Sequence, residues 1–222
     1  MLDFDFIKNV YNIKKFHGST QEEIAVLKQK FGEIPKVLED FYMKAGNTNE
    51  FQYGQDTWIM PKDYFKCAWT ADFNEGIILL NENQGVCQAY IRKEDLSLPD
   101  PPVYEWSGGY EEPCLCAMSV SEFLMAASAY EAAFTFEYNP EEFYYVECCD
   151  IEEFESRLEK YPFKMKWLYD VEIIFYSNDP GNLVAALCES GEEGGLQLIY
   201  GAVNEEAYNK LEKALDGICE PF

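Results

Sequence analysis

The side chains that most often perform nucleophilic or acid–base chemistry are sparse in this sequence. His17 is the only histidine among 222 residues, so a Ser-His-Asp triad, a Cys-His dyad or a multi-histidine metal site would each depend on it. None of the eight cysteines has the C-x-x-C spacing of zinc ribbons and thioredoxin-like redox sites. Cys114 and Cys116, and the adjacent Cys148 and Cys149, remain as candidate metal or redox pairs. We expect most of the cysteines to be reduced and buried, because a free cysteine behaves as a small hydrophobe.

Carboxylates are abundant, since the chain has 41 Asp and Glu residues. Two carboxylates about 5 to 10 Å apart are the machinery of a glycosidase, but with so many acids chance alone places some pairs at that distance. The sequence contains no Gly-x-Ser-x-Gly elbow, no Walker loop and no His-Glu-x-x-His motif. It therefore assigns no catalytic residue, no metal site and no cofactor, and it predicts a protein that is not an enzyme. A hydrolase with an acidic pair is the minor alternative.

The net charge indicates which classes of partner the protein can bind. Lys and Arg number 17, so the formal net charge is −24, which argues against nucleic acid because binding phosphates requires clustered Lys and Arg. The hydrophobic content of 48% is too high for an acidic disordered chain. Residues 1–110 hold 11 basic and 17 acidic residues, whereas residues 111–222 hold 6 and 24. The acids of the second half occur as short pairs, which favours either a solvated surface or an acidic face for a basic protein partner.

Helical periodicity dominates the first fifty residues. Thr20 and Glu23 form a capping box at the start of a helix over about residues 20–31. A second helix begins at Pro35 and ends at Gly46. The pattern thus predicts two short helices joined by a proline turn.

The segment from Phe51 to Tyr104 has the residue pattern of β-strands. The strongest signal is a hairpin whose two apolar strands flank the turn residues 81–85, so we expect an antiparallel sheet. Ser119 and Glu122 then form a second capping box, and the helix that follows should cover this sheet.

A second block begins beyond Pro140. It is predicted to contain a strand near 143–148, a helix capped by Asp150 with Tyr161 on its inner face, strands near 171–176, 183–188 and 196–203, and a last helix. Both blocks combine helices with strands, so we predict an α+β fold in two parts. Because no linker of Ser, Gly or Pro separates the blocks, we expect them to pack together. N-terminal helices packed on an antiparallel sheet form a domain over residues 1–139, and an α+β extension over residues 140–222 packs on the same domain.

No targeting or membrane segment is expected. The N-terminus carries acids where a signal peptide needs a basic region, and no stretch approaches 18 consecutive apolar residues. We therefore expect a cytoplasmic protein that does not bind membranes.

Several segments together resemble the SUKH superfamily across roughly residues 18–136. In chain order they are Ile34-Pro35-x-x-Leu38-x-x-Phe41-Tyr42-x-x-Ala45-Gly46-Asn47, Glu82-Asn83-Gln84-Gly85-Val86-Cys87, Asp95-Leu96, Asp100-Pro101-Pro102-Val103-Tyr104 and Ser119-Val120-Ser121-Glu122-Phe123-Leu124. The most specific feature is the order of Asn-Gln-Gly-Val-Cys followed by Asp-Pro-Pro-Val-Tyr. Ala89 departs from the family pattern, which has an aromatic residue at that place, so a preformed pocket there is not carried over.

The resemblance implies an α+β fold with N-terminal helices against an antiparallel sheet, and a non-catalytic role. Many bacterial members are immunity proteins that bind and neutralise a cognate polymorphic toxin, often a nuclease, whereas other members are regulatory adaptors in eukaryotic cells. We therefore expect an immunity-type protein that binds a basic protein toxin. The alternative is an intracellular adaptor that binds a peptide or a disordered partner.

Two groups of residues are candidates for contact with the partner: polar residues of the family-like motifs, and acidic pairs of the second half. They are Glu82, Asn83, Gln84, Asp100, Tyr104, Glu141, Glu142, Glu192 and Glu193. The motif residues also have a structural interpretation, because Asn83 and Gly85 suit a tight turn.

Overall fold

The computed structural model of this protein describes residues 2–66, 68–107, 112–140, 142–188 and 194–221. Within them the chain forms seven α-helices and two antiparallel sheets, which confirms the predicted α+β fold. The helices are α1 (Phe4–Val10), α2 (Gln21–Phe31), α3 (Lys36–Ala45), α4 (Ala68–Asp72), α5 (Val120–Ala133), α6 (Ile151–Arg157) and α7 (Glu205–Leu215). The strands are β1 (Thr57–Trp58), β2 (Gly76–Asn81), β3 (Cys87–Arg92), β4 (Val103–Ser107), β5 (Cys114–Ala117), β6 (Tyr144–Val146), β7 (Glu159–Trp167), β8 (Val171–Ser177), β9 (Asn182–Cys188), β10 (Leu196–Ala202) and β11 (Glu220–Pro221).

Internal contacts divide the chain into two compact units. The first unit comprises Met1–Leu2 and Lys14–Leu124, and the second comprises Asp3–Ile13 and Met125–Phe222. Helix α5 therefore begins in the first unit and ends in the second. The predicted boundary after residue 139, and the packing of the extension on the first domain, stay predictions.

The first helices begin where their capping signals predict. The Thr20 hydroxyl accepts a hydrogen bond from the Glu23 N–H at 3.2 Å, and the Glu23 carboxylate accepts one from the Thr20 N–H at 2.8 Å. This reciprocal pair is the predicted capping box of α2. Pro35 lies at the N-cap of α3, whose buried face carries Leu38 and Phe41.

The first unit contains a five-stranded sheet in the order β1-β2-β3-β4-β5, with every neighbouring pair antiparallel. The predicted hairpin is present as β2 and β3, and its turn places Gly85 at a φ of +74°. Because this left-handed conformation is strained for residues with a Cβ, glycine is the residue that the turn requires.

The start of α5 differs from the predicted capping box. The Ser119 hydroxyl accepts the N–H of Glu122 at 3.1 Å, but the Glu122 carboxylate accepts the N–H of Met118 at 3.3 Å, not that of Ser119. Only half of the box forms. Every residue of α5 except Glu122 is buried, so the helix is buried on all sides, whereas a helix that only covers a sheet is buried on one face.

The second unit contains a six-stranded sheet in the order β11-β6-β10-β9-β8-β7, again antiparallel. Helices α6 and α7 contribute to a core with this sheet, in which Phe154 and Leu211 are fully buried. On α1, the ring of Phe6 lies 5.1 Å from those of Tyr161 and Phe163. The part of the chain that the structure describes has no helix long and apolar enough to cross a membrane.

One predicted helix is too long. The sequence places Tyr161 on the helix that starts near Asp150, but α6 ends at Arg157 and Leu158 is already extended. Tyr161 lies in β7, a strand that the sequence analysis missed although Phe163 and Trp167 alternate with lysines. Asp150 is at the N-cap of α6 but makes no side-chain capping bond.

Candidate functional site

Glu82 builds the turn between β2 and β3. Its side chain is only 6% exposed, and its carboxylate accepts the N–H groups of Gln84 at 2.8 Å and Val86 at 3.2 Å. The Asp56 carboxylate accepts the N–H of Asn83 at 3.1 Å. Two buried carboxylates thus satisfy the main-chain donors of this turn, while the side chains of Asn83 and Gln84 are exposed at its tip.

Asp100 is likewise engaged within the chain. Its carboxylate accepts the N–H of Ser121 at 2.8 Å and the hydroxyl of Ser121 at 2.6 Å. Ser121 lies in the first turn of α5, where main-chain N–H groups have no partner within the helix. Asp100 therefore caps α5, and its negative charge lies at the favourable end of the helix dipole.

Tyr104 belongs to a group of side chains on one face of the first sheet. Residues directly opposite each other in antiparallel strands, and every second residue along a strand, share a face. The register pairs Tyr104 with Tyr90 and with Leu115, and pairs Trp106 with Gln88. We name this group the aromatic face and define it as Tyr90, Arg92, Tyr104, Trp106 and Leu115.

Ring–ring contacts and a contact between a ring and a cation fix the side chains of the aromatic face. The Arg92 guanidinium lies 3.7 Å from the centre of the Tyr104 ring, a cation–π contact worth about 0.5 to 2 kcal/mol depending on its exposure. Arg92 also forms a side-chain hydrogen bond with Tyr90. The ring of Phe73 packs edge-on at 5.3 Å from Tyr90 and 6.3 Å from Trp106. Burial raises the pKa of Tyr90, and the hydrogen bond from Arg92 opposes that rise.

Exposure increases across the aromatic face. Tyr90 is buried, whereas Trp106 and Leu115 are each 40% exposed. Exposed apolar side chains are ordinary when they are scattered, but these lie on adjacent strands beside a partly exposed Tyr and Arg. Trp, Tyr and Arg are the residues that most often dominate the energy of protein interfaces. The face therefore has the composition and the rigid support of a protein-binding surface.

The sequence motifs predict Tyr104 as a contact residue, but they do not include Trp106, Leu115 or Arg92. Tyr104 and Trp106 are two residues apart, so in a strand they point to the same face. This spacing is the sequence signal that indicates the second aromatic residue. Glu105, which lies between these two residues in the sequence, is buried, with 3% of its surface exposed. The strand thus reverses the usual alternation, because a carboxylate points inward and a Trp points outward. The sequence of β4 therefore does not show the inward apolar residues that are typical of a strand.

Of the predicted acidic residues of the second half, Glu142 lies in the described part of the chain. It is exposed and lines a groove with Phe143, which is 48% exposed. Glu141, Glu192 and Glu193 lie outside the described residues, so their predicted contact with a partner stays a prediction.

The acidic pairs of α6 and α7 lie on the surface. Three of these carboxylates form ion pairs with neighbouring basic side chains: Glu153 with Arg157, Glu155 with Lys160, and Glu206 with Lys210. The Tyr176 hydroxyl and the Lys160 ammonium group hydrogen-bond to Glu155 and lower its pKa. Exposed acids on the two helices are Glu152, Glu153, Glu155, Glu205 and Glu206.

His17 and the described candidate cysteine pairs lie on separate elements of the chain. His17 is exposed in the loop before α2, and its main-chain carbonyl accepts the N–H of Asn47. Cys148 and Cys149 are exposed, and the charge of Asp150 raises the pKa of the Cys149 thiol. Among the described residues, no three His, Cys, Asp or Glu side chains are grouped so that they could hold a metal ion.

Comparison with protein-family models, with curated proteins and with solved structures finds no match to this chain. The resemblance to the SUKH superfamily therefore stays a prediction.

Proposed function

We propose that this chain is a non-catalytic, immunity-type protein that binds a basic protein toxin and neutralises it. The observation that carries the proposal is the aromatic face, where Trp106 and Leu115 lie half exposed beside Tyr104 and Arg92. Rigid aromatic side chains lose little entropy on binding, so they suit the centre of an interface.

Charge supports the basic character of the partner. The chain carries a net charge of −24, and Glu75 and Glu94 lie close enough to Tyr90 to raise its pKa. Carboxylates beside an apolar patch attract a basic surface and speed its encounter with the patch. The proposal places this binding in the cytoplasm, because Cys148, Cys149 and Cys219 are free thiols and a reducing compartment maintains that state.

Co-expression tests the function directly. The probe is the protein encoded by the gene adjacent to that of this chain, expressed in a host cell with and without the chain. We expect the adjacent protein alone to stop growth and the chain to restore it. Loss of growth in both cultures, together with no complex between the purified proteins, would refute the proposal.

A substitution on the aromatic face tests the site. Trp106→Ala should weaken the complex by about thirtyfold or more, because truncation of a central aromatic residue typically costs at least about 2 kcal/mol. Tyr53→Ala is the matched control, because Tyr53 is an aromatic residue of the same unit, is 67% exposed and lies outside the aromatic face. Equal affinities of the two variants, measured by surface plasmon resonance, would show that another surface binds.

Salt tests the electrostatic part. The association rate should fall as ionic strength rises, because screening shortens the reach of the acidic surface. An association rate that does not change with ionic strength would contradict the proposal that the toxin is basic. Binding to unrelated host proteins without growth protection would favour the adaptor instead.

A further inference from the structure

The second unit contains a small groove beside β10, and the strand register explains its origin. Tyr138 and Ala202 exchange two main-chain hydrogen bonds, of 3.3 and 2.8 Å. Further along β10, Leu198 pairs with Tyr144 of β6. Between these two pairs the first segment has five residues, 139–143, whereas β10 has only three, 199–201. This excess of residues is that of an extended bulge, and its described residues 139, 140, 142 and 143 line the groove together with β10.

The groove has the size of one side chain. Its volume is about 170 Å³, room for about six waters at ~30 Å³ each and below the ~300 to 1,000 Å³ of typical small-molecule sites. The lining is mainly apolar. The lining residues include Phe134, Phe143, Leu198, Ile199 and Tyr200, and the exposed Glu142.

Two groups of the lining residues can accept hydrogen bonds. The first is the carboxylate of Glu142. The second is the main chain of Tyr200: successive main-chain groups of a strand point to alternate sides, so those of Tyr200 point to the same side as those of Ala202. On that side Ala202 bonds to Tyr138, and the described residues 139, 140, 142 and 143 follow Tyr138 in the chain. The rings of Phe134 and Phe143 add aromatic surface that attracts a cation.

We propose that this groove is an anchor site for one arginine side chain of the basic protein partner; the identity of the partner rests on the proposed function. The aliphatic stem would pack on Phe143 and Ile199, and the guanidinium would pair with Glu142. An arginine fits better than a lysine because its planar fork binds a carboxylate with two parallel hydrogen bonds. Charge complementarity favours a cation, because the second unit contains 7 basic and 23 acidic residues.

A small probe tests the site without the partner. We would titrate the full, ¹⁵N-labelled chain with N-acetyl-arginine amide and follow amide chemical shifts by NMR. We expect saturable shifts at Glu142, Phe143 and Ile199 with a dissociation constant in the millimolar range. The matched ligand is N-acetyl-citrulline amide, which has nearly the same shape without the charge and should bind several-fold more weakly.

Two variants locate the interaction. Glu142→Gln should weaken arginine binding by about threefold to fivefold, the effect of an exposed ion pair, whereas Glu137→Gln, which removes an exposed carboxylate outside the lining, should leave it unchanged. Phe143→Ala should also weaken binding by removing an apolar wall. Equal shifts with citrulline, or equal binding by Glu142→Gln and Glu137→Gln, would overturn the inference.

This test separates the groove from the proposed function. An arginine probe that does not shift the groove residues, in a chain that still protects growth, would overturn the anchor site alone. An arginine probe that binds as expected, in a chain that does not protect growth, would overturn the proposed toxin partner and leave the groove as an arginine site.

Discussion

Removing the Glu82 carboxylate should destabilise the turn between β2 and β3. In Glu82→Ala the N–H groups of Gln84 and Val86 lose an ionised acceptor. A hydrogen bond to a charged group contributes about 1.5 to 3 kcal/mol. Because Gln84 and Val86 are exposed, water replaces part of each bond. We therefore expect a loss of about 2 kcal/mol in total.

Thermal unfolding measures this loss. For a chain of this size a change of 1 kcal/mol moves the melting temperature by about 2 to 4 °C, so Glu82→Ala should melt about 4 to 8 °C below the wild type. Glu82→Gln should lie between the two, because its amide oxygen still accepts both N–H groups but without the charge. Gln84→Ala is the control, since it removes an exposed side chain of the same turn and should cost less than about 0.5 kcal/mol.

The same variants distinguish a turn-building residue from a binding residue. If Glu82 acts through the turn, amide exchange at Gln84 and Val86 should accelerate in Glu82→Ala even without a partner. A melting temperature within 1 °C of the wild type, with unchanged exchange at both amides, would refute the reasoning and favour contact with the partner as the role of this carboxylate.

Two further predictions concern the second unit. Gly201→Ala should destabilise the protein by about 1 to 3 kcal/mol in chemical denaturation, because a Cβ there would lie 2.7 Å from the Tyr138 carbonyl oxygen and 2.8 Å from the Phe136 Cβ; unchanged stability would refute this close approach. Asp179→Asn should remove a pH-dependent stabilisation: hydrogen bonds from Lys210 and the Gly181 N–H lower the pKa of Asp179 below its ordinary value of 3.8. Because the folded pKa is the lower one, the advantage of wild type over variant should be complete above about pH 5 and vanish as pH falls through the folded pKa, whereas an equal advantage at pH 7 and pH 2 in urea melts would contradict the assignment.

Local signals account for the elements that the sequence predicted correctly. Thr20 and Glu23 make a reciprocal cap that needs no tertiary contact, and the hairpin at Gly85 is fixed by a residue that accepts a positive φ. Helix α1 was missed because it has only seven residues, too few for its period to stand out. The length of α6 was overestimated because the spacing of Phe154, Leu158 and Tyr161 suits a helix even though the chain becomes extended at Leu158.

The candidate site was harder to predict than the fold. Motif residues such as Glu82 and Asp100 attract attention because they are polar and regularly spaced, but the structure gives their carboxylates hydrogen bonds within the chain. Their contact with a partner stays a prediction. The aromatic face depends on which strands are neighbours: Leu115 lies beside Tyr104 only because β4 pairs with β5. No local pattern contains that information.

The edge of the second sheet bears on how a partner of that unit can bind. Strand β7 is an edge strand, and its exposed backbone would invite an extended peptide to add a strand. Lys160 and Lys164 lie along it in ion pairs with Glu155 and Glu172, Pro162 removes a donor, and the register shifts between the two lysines. Charged side chains, proline and an irregular register all oppose strand addition. Recognition by the second unit is therefore expected to use side chains, as the Glu142 groove would, and a peptide adaptor that works by strand addition at β7 is disfavoured.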